Sequence, residues 1–86
     1  MTYSVVWSRR ALQEAVRIEQ SSADPNATRR ALDWIDFALR RNPHERGEAR
    51  SENLRLWYED ELAVYYRIDE APRRVEILFV GPARRR

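Results

Sequence analysis

Apolar positions along the chain recur with two different periods. Residues 3–7, YSVVW, are β-branched and aromatic and read as a strand. Ser8 then fits a helix N-cap. From there to Gln20 the apolar residues Ala11, Leu12, Ala15, Val16 and Ile18 keep a helical period, with Arg9, Arg10, Glu14 and Arg17 mostly outward. SSADPNA breaks the pattern. Asp24 followed by Pro25 is a helix-start signal, a capping carboxylate and then proline at the first helical position. The second helix is expected to run to about Arg41. Its stripe is Ala27, Ala31, Ile35, Ala38 and Leu39, widened by Leu32 and Trp34. Arg40 and Arg41 suit the negative end of the helix dipole, and the Asn42–Pro43 dipeptide stops the helix.

After a polar loop, HERGEARSE at 44–52, the period changes to two. Strands are expected at 53–58, 62–69 and 75–80, joined by the turns EDE and EAPRR. On 62–69, alternation sends Leu62, Val64, Tyr66 and Ile68 to one side and Ala63, Tyr65 and Arg67 to the other. On 53–58 the same rule takes Leu54, Leu56 and Tyr58 as inward and Asn53, Arg55 and Trp57 as outward. If the two strands pair through EDE, Arg55, Trp57, Tyr65 and Arg67 share one open patch. The order β-α-α-β-β-β implies an α+β domain. A helical hairpin would pack on one face of a mainly antiparallel four-stranded sheet.

A chain of 86 residues is one domain, 1–86, with one modest core. It has no cysteine and a single histidine, His44. Disulfides and thiolate zinc sites are therefore excluded, and no metal or cofactor is expected. No apolar run approaches the ~20 residues that span a bilayer, and the start of the chain lacks the features of a signal peptide. The expectation is a soluble cytoplasmic protein. The net charge is only +2, but all 16 basic residues are arginine. Genomic base composition is the ordinary reason for such a bias. Its physical consequence is a set of permanently charged forks suited to phosphates and carboxylates.

The local phrases resemble those of the RelE/ParE toxin superfamily of bacterial toxin–antitoxin modules, a family that includes plasmid-stabilisation proteins. YSVVWSRRAL is similar to that family's opening strand and helix start. ALRRNPHERGEAR, with Leu39, Asn42, Pro43, Gly47 and Arg50, is similar to its passage from second helix to second strand. LAVYYRID followed by RRVEILFV is similar to its C-terminal hairpin. The resemblance spans nearly the whole chain. It implies a cognate antitoxin as partner and, for the RelE branch, metal-independent cleavage of messenger RNA at the ribosome. For the ParE branch it implies inhibition of DNA gyrase without catalysis. A member that only binds its antitoxin is the third possibility.

In the RelE branch a ribose 2′-hydroxyl attacks the adjacent phosphate, so the protein must orient the RNA and stabilise growing phosphate charge. The candidate catalytic donors are Arg55, Arg67, Arg50 and Arg84. The candidate RNA-binding residues are Trp57, Tyr65, Arg46 and His44, since guanidinium groups interleaved with rings hold phosphates and stack on bases. The patch points first to this RNA-directed branch. The plainer alternatives are cross-strand pairing of Arg55 and Arg67 with Glu61, Asp69 or Glu76, and an antitoxin lying over Trp57 and Tyr65. The sequence departs from the RelE pattern at Asn53, at Leu62 or Ala63 where an arginine is expected, and at its end, which has no tyrosine.

Overall fold

A computed structural model describes residues 2–83. Strand β1 is Ser4–Trp7, helix α1 is Arg9–Ser21 and helix α2 is Pro25–Arg41. A single 3-10 turn, Pro43–Glu45, leads to the short strand β2, Glu48–Ala49, and then to β3, Leu54–Glu59, β4, Leu62–Asp69, and β5, Arg74–Pro82. The five strands lie in the order β1-β5-β4-β3-β2. β1 runs parallel to β5, and every other pairing is antiparallel. The class is α+β, with both helices packed on the sheet. The expected four strands become five because Glu48 and Ala49 pair with Leu56 and Arg55. A two-residue, fully exposed strand leaves no apolar pattern to read. Arg84 lies outside the described residues.

Helix starts fall where their caps put them. The Ser8 hydroxyl accepts from the Ala11 amide at 3.0 Å and donates to the Leu78 carbonyl at 3.1 Å, so one side chain caps α1 and ties it to β5. The Asp24 carboxylate accepts from the Ala27 amide at 3.2 Å, with Pro25 next. Such caps are each worth about 1 kcal/mol. α1 buries only Ala11 and Ala15, and those small side chains let it lie close over β5. α2 buries Leu32, Ile35, Ala38 and Leu39. Leu12 and Val16, read as part of the α1 stripe, are more than half exposed.

β4 alternates strictly between buried and half-buried positions, and Leu62, Val64, Tyr66 and Ile68 are the buried set. They meet Val75, Ile77 and Val80 of β5 under the helices. Register shifts between Tyr65 and Tyr66: Tyr65 faces Phe79 and Tyr66 faces Ile77, leaving Leu78 as an extra residue on β5. A bulge here keeps the apolar sets of both ends of β5 on the core side. Gly47 has φ +62, and an added Cβ would stand 2.3 Å from the Leu56 carbonyl oxygen, so only glycine lets the chain turn into β2 at this point.

Candidate functional site

In an antiparallel pair, directly opposed residues project from the same face. Arg55 opposes Tyr66 and Trp57 opposes Val64, whereas Leu54 opposes Arg67 and Leu56 opposes Tyr65. β3 is therefore turned over relative to the expectation from its own sequence. Arg55 and Trp57 are on the helix side with the core of β4. Leu54, Leu56 and Tyr58 are on the open side with Tyr65 and Arg67. The expected patch of Arg55, Trp57, Tyr65 and Arg67 does not form. In LRLWY the uniformly apolar parity is Leu54, Leu56 and Tyr58, while the other holds Arg55 and Trp57, so alternation alone points to the wrong face. Burial of the indole decides: Trp57 is 7% exposed, while Tyr58 is 47% exposed. The tryptophan ring, the largest apolar side chain of the strand, takes the core position.

Each candidate residue among those described has a definite place. Arg55 donates through Nε to the Arg46 carbonyl at 2.8 Å and through Nη2 to the Gly47 carbonyl at 3.2 Å, bracing the loop from α2 to β2. Arg46 projects its guanidinium between two indoles, with Cζ 5.3 Å from the Trp34 centroid and 5.5 Å from that of Trp57. Its Nε is buried and has no hydrogen-bond partner among the described residues. Arg67 stands on the open face, hydrogen-bonded to Glu76 and 3.9 Å from Asp69. Arg50 is exposed beyond β2, 3.6 Å from Glu48. Tyr65 is half-buried on the open face beside Phe79, and Arg10 lies 5.1 Å over the Phe79 ring. The open face is thus mainly apolar and aromatic, and its central cation is matched by carboxylates.

His44 belongs to a cluster at the opposite end of the sheet from the EDE turn. Its Nε2 bonds the Glu70 carboxylate, which also accepts from the Tyr3 hydroxyl at 3.0 Å. These bonds, the histidine's first, hold the Glu70 carboxyl below its usual range. Burial raises the Tyr3 hydroxyl, with the bond it donates to Glu70 acting in the same direction. Next to the cluster is a cleft of about 320 Å³ lined by His44, Glu52, Asn53, Arg55, Asp69 and Glu70 among others. An imidazole oriented by a carboxylate beside a guanidinium can accept or deliver a proton next to bound anionic charge. The sequence singles out His44 but not its partners. Glu70 is 26 positions from His44 and 67 from Tyr3, so no local spacing announces them.

Beneath this cleft, Tyr66 fixes the loop from inside. Its hydroxyl reaches the Pro43 carbonyl at 2.7 Å and the Arg46 carbonyl at 3.0 Å. Burial pushes the phenol up to about 12, against the opposing pull of Arg55. Among the described residues no group of three or more His, Cys, Asp or Glu could hold a metal ion, and no helix is long and apolar enough to cross a membrane.

No protein-family model matches the sequence, and no curated protein matches it. Solved structures do match. A chain of the RelBE2 toxin–antitoxin complex from Mycobacterium tuberculosis superposes with a TM-score of 0.76 at 23% identity, covering 95% of this chain and 99% of that one. A chain of the chromosomal ParDE system from P. aeruginosa gives a TM-score of 0.71 at 13% identity, with 95% and 97% covered. The isolated E. coli RelE toxin gives 0.70 at 16% identity, with 98% and 87% covered. The chain has the fold shared by RelE and ParE toxins.

Proposed function

We propose that this chain is the toxin of a two-protein toxin–antitoxin module and that it inactivates its target by binding. What supports the toxin reading is coverage in both directions. The likeness takes in nearly all of this chain and nearly all of chains from two toxin–antitoxin systems. The test is inducible expression alone and together with any small protein encoded in an adjacent reading frame. Growth arrest that the neighbour relieves is the expected result, and unimpeded growth on full expression of folded protein refutes the reading.

Binding is favoured over RNA cleavage by the composition of the open face. Leu54, Leu56, Tyr58, Tyr65 and Phe79 offer area for a protein contact, and Arg67 is already matched by Glu76 and Asp69. Gyrase is the target implied by the ParE likeness. Supercoiling inhibition by the purified protein, with transcripts intact by primer extension, is the expected outcome. Tyr65→Ala with Phe79→Ala lifts growth arrest on this reading. The His44–Glu70 pair beside Arg55 favours a second reading, ribosome-dependent messenger RNA cleavage. Its mark is cut transcripts that His44→Ala abolishes.

A further inference from the structure

The outward side of α2 carries a feature that neither the fold nor the open sheet face uses. Arg30, Trp34, Phe37 and Arg41 recur at spacings of four, three and four, which places them in one row along the helix. The row is about 16 Å long. Trp34 is 39% and Phe37 48% exposed, unusual for rings of this size on a small domain. The two rings stack on each other, centroids 5.8 Å apart and planes 29° from parallel. Arg41 covers Phe37 at 4.5 Å, and Arg46 lies over Trp34. Phe37 also walls a groove of about 490 Å³ between α1 and α2, where Leu12 and Val16 are exposed. The apolar surface therefore continues from the row into the groove.

Charge specifies the occupant. The acids nearest the row, Asp33 and Asp36, are engaged by Arg29 and Arg40. Arg30 and Arg41 form no ion pair among the described residues, so the two ends of an aromatic centre are left positive. We propose that this row docks an amphipathic helix of a partner protein, with apolar side chains over Trp34 and Phe37 and acidic residues at both ends meeting Arg30 and Arg41. Aromatic and arginine side chains are the types that anchor such contacts, and a helix laid on a helix face presents anchors at matching intervals. A nucleic acid fits less well. Base stacking needs a free ring face, and here faces of both rings are taken by each other, by Arg41 and by Arg46, whereas apolar side chains can pack on the ring surface still exposed. If the partner is the antitoxin, the inference rests on the toxin reading for its biology, but its test needs no growth phenotype.

The probe is a synthetic amphipathic peptide as long as α2, with leucines at helical spacing and glutamates at both ends. Its control carries lysines in place of the glutamates. Binding to the isotope-labelled full chain is followed by NMR. The glutamate peptide is expected to shift the Trp34 indole and the backbone of residues 30–41, and to bind at least about tenfold more tightly than the lysine peptide. Arg30→Glu with Arg41→Glu reverses that preference and, both sites being exposed, leaves the fold intact. Equal binding of the two peptides, shifts centred on Tyr65 and Phe79, or stronger Trp34 shifts with a single-stranded RNA than with the glutamate peptide would each overturn the proposal. A toxin that arrests growth but fails this titration loses the docking inference alone. One that passes it without arresting growth loses the toxin reading alone.

Discussion

Replacing Tyr66 by phenylalanine tests how the loop that carries His44 and Arg46 is held. Tyr66 is fully buried, and its single hydroxyl proton serves the carbonyls of Pro43 and Arg46. The Arg46 carbonyl keeps the Arg55 Nε–H after the substitution, but the Pro43 carbonyl loses its side-chain donor. One buried acceptor deprived of its donor costs about 1–3 kcal/mol. A domain of this length has a total stability of roughly 4–13 kcal/mol, so the loss is large. With a urea dependence near ~1 kcal/mol per molar for so small a chain, the unfolding midpoint should drop by about 1–3 M at pH 8. The same substitution has a pH signature. The phenol is pushed up to about 12 in the fold, whereas in the unfolded chain it ionises near ~10. Between these values the unfolded state binds fewer protons than the native one, so stability falls as pH rises. The loss is on the order of 2 kcal/mol across that window. The phenylalanine variant lacks this loss, so the two urea midpoints should converge from pH 8 to pH 11. A constant gap across that range, or no gap at pH 8, refutes the bonding scheme.

The two arginines once expected on one patch should behave oppositely. Arg55→Ala removes two charge-assisted bonds to loop carbonyls and should cost about 2 kcal/mol in chemical unfolding, whereas Arg67→Ala, a surface ion pair, should cost under about 1 kcal/mol; the reverse order would sink the assignment of faces. Gly47→Ala puts a Cβ against the Leu56 carbonyl at positive φ and should lower stability by about 2–3 kcal/mol, read by thermal unfolding; a midpoint within error of wild type contradicts the turn geometry. Glu70→Gln tests the His44 cluster. The native carboxyl is held below its unfolded value by His44 and then Tyr3, so its contribution is present above the ordinary carboxylate range near ~4.3 and is lost as pH falls through the lower native value. The variant should melt earlier than wild type at neutral pH and level with it in acid, and a gap that persists in acid disproves the linkage.

Both helices were legible because their signals are local. Ser8, and Asp24 with Pro25, cap and start them within three residues of the bonds they make. β4 was legible because only one of its parities is uniformly apolar, so one register satisfies it. In β3 the same signal points to the wrong face. Leu54, Leu56 and Tyr58 at one parity competed with Trp57 at the other, and the decision depended on which set β4 would oppose. That is tertiary information. The same holds for Glu70, Tyr3 and Phe79, which reach His44 or Tyr65 only through sheet order and the bulge at Leu78.

The reversal of β3 bears on activity more than on fold. Had Arg55 and Trp57 faced outward, two guanidiniums and two rings would have shared one surface, the composition that suits a polyanion. With β3 turned over, Arg55 is committed to the carbonyls of Arg46 and Gly47, and Trp57 to the core and to the Arg46 guanidinium. Both support the loop before β2 instead of the open face. The open face keeps Arg67 between Glu76 and Asp69, with Arg74 sharing Asp69 and Arg10 over Phe79, set among leucine, tyrosine and phenylalanine. An arginine already paired with two carboxylates must lose those contacts before it can serve a phosphate, and the phosphate must approach past the same negative charges. An apolar protein surface meets no such opposition, because covering Leu54, Leu56, Tyr65 and Phe79 leaves the Arg67 pairs in place. On the proposed toxin reading, the electrostatics of the open face favour a protein target over a phosphate.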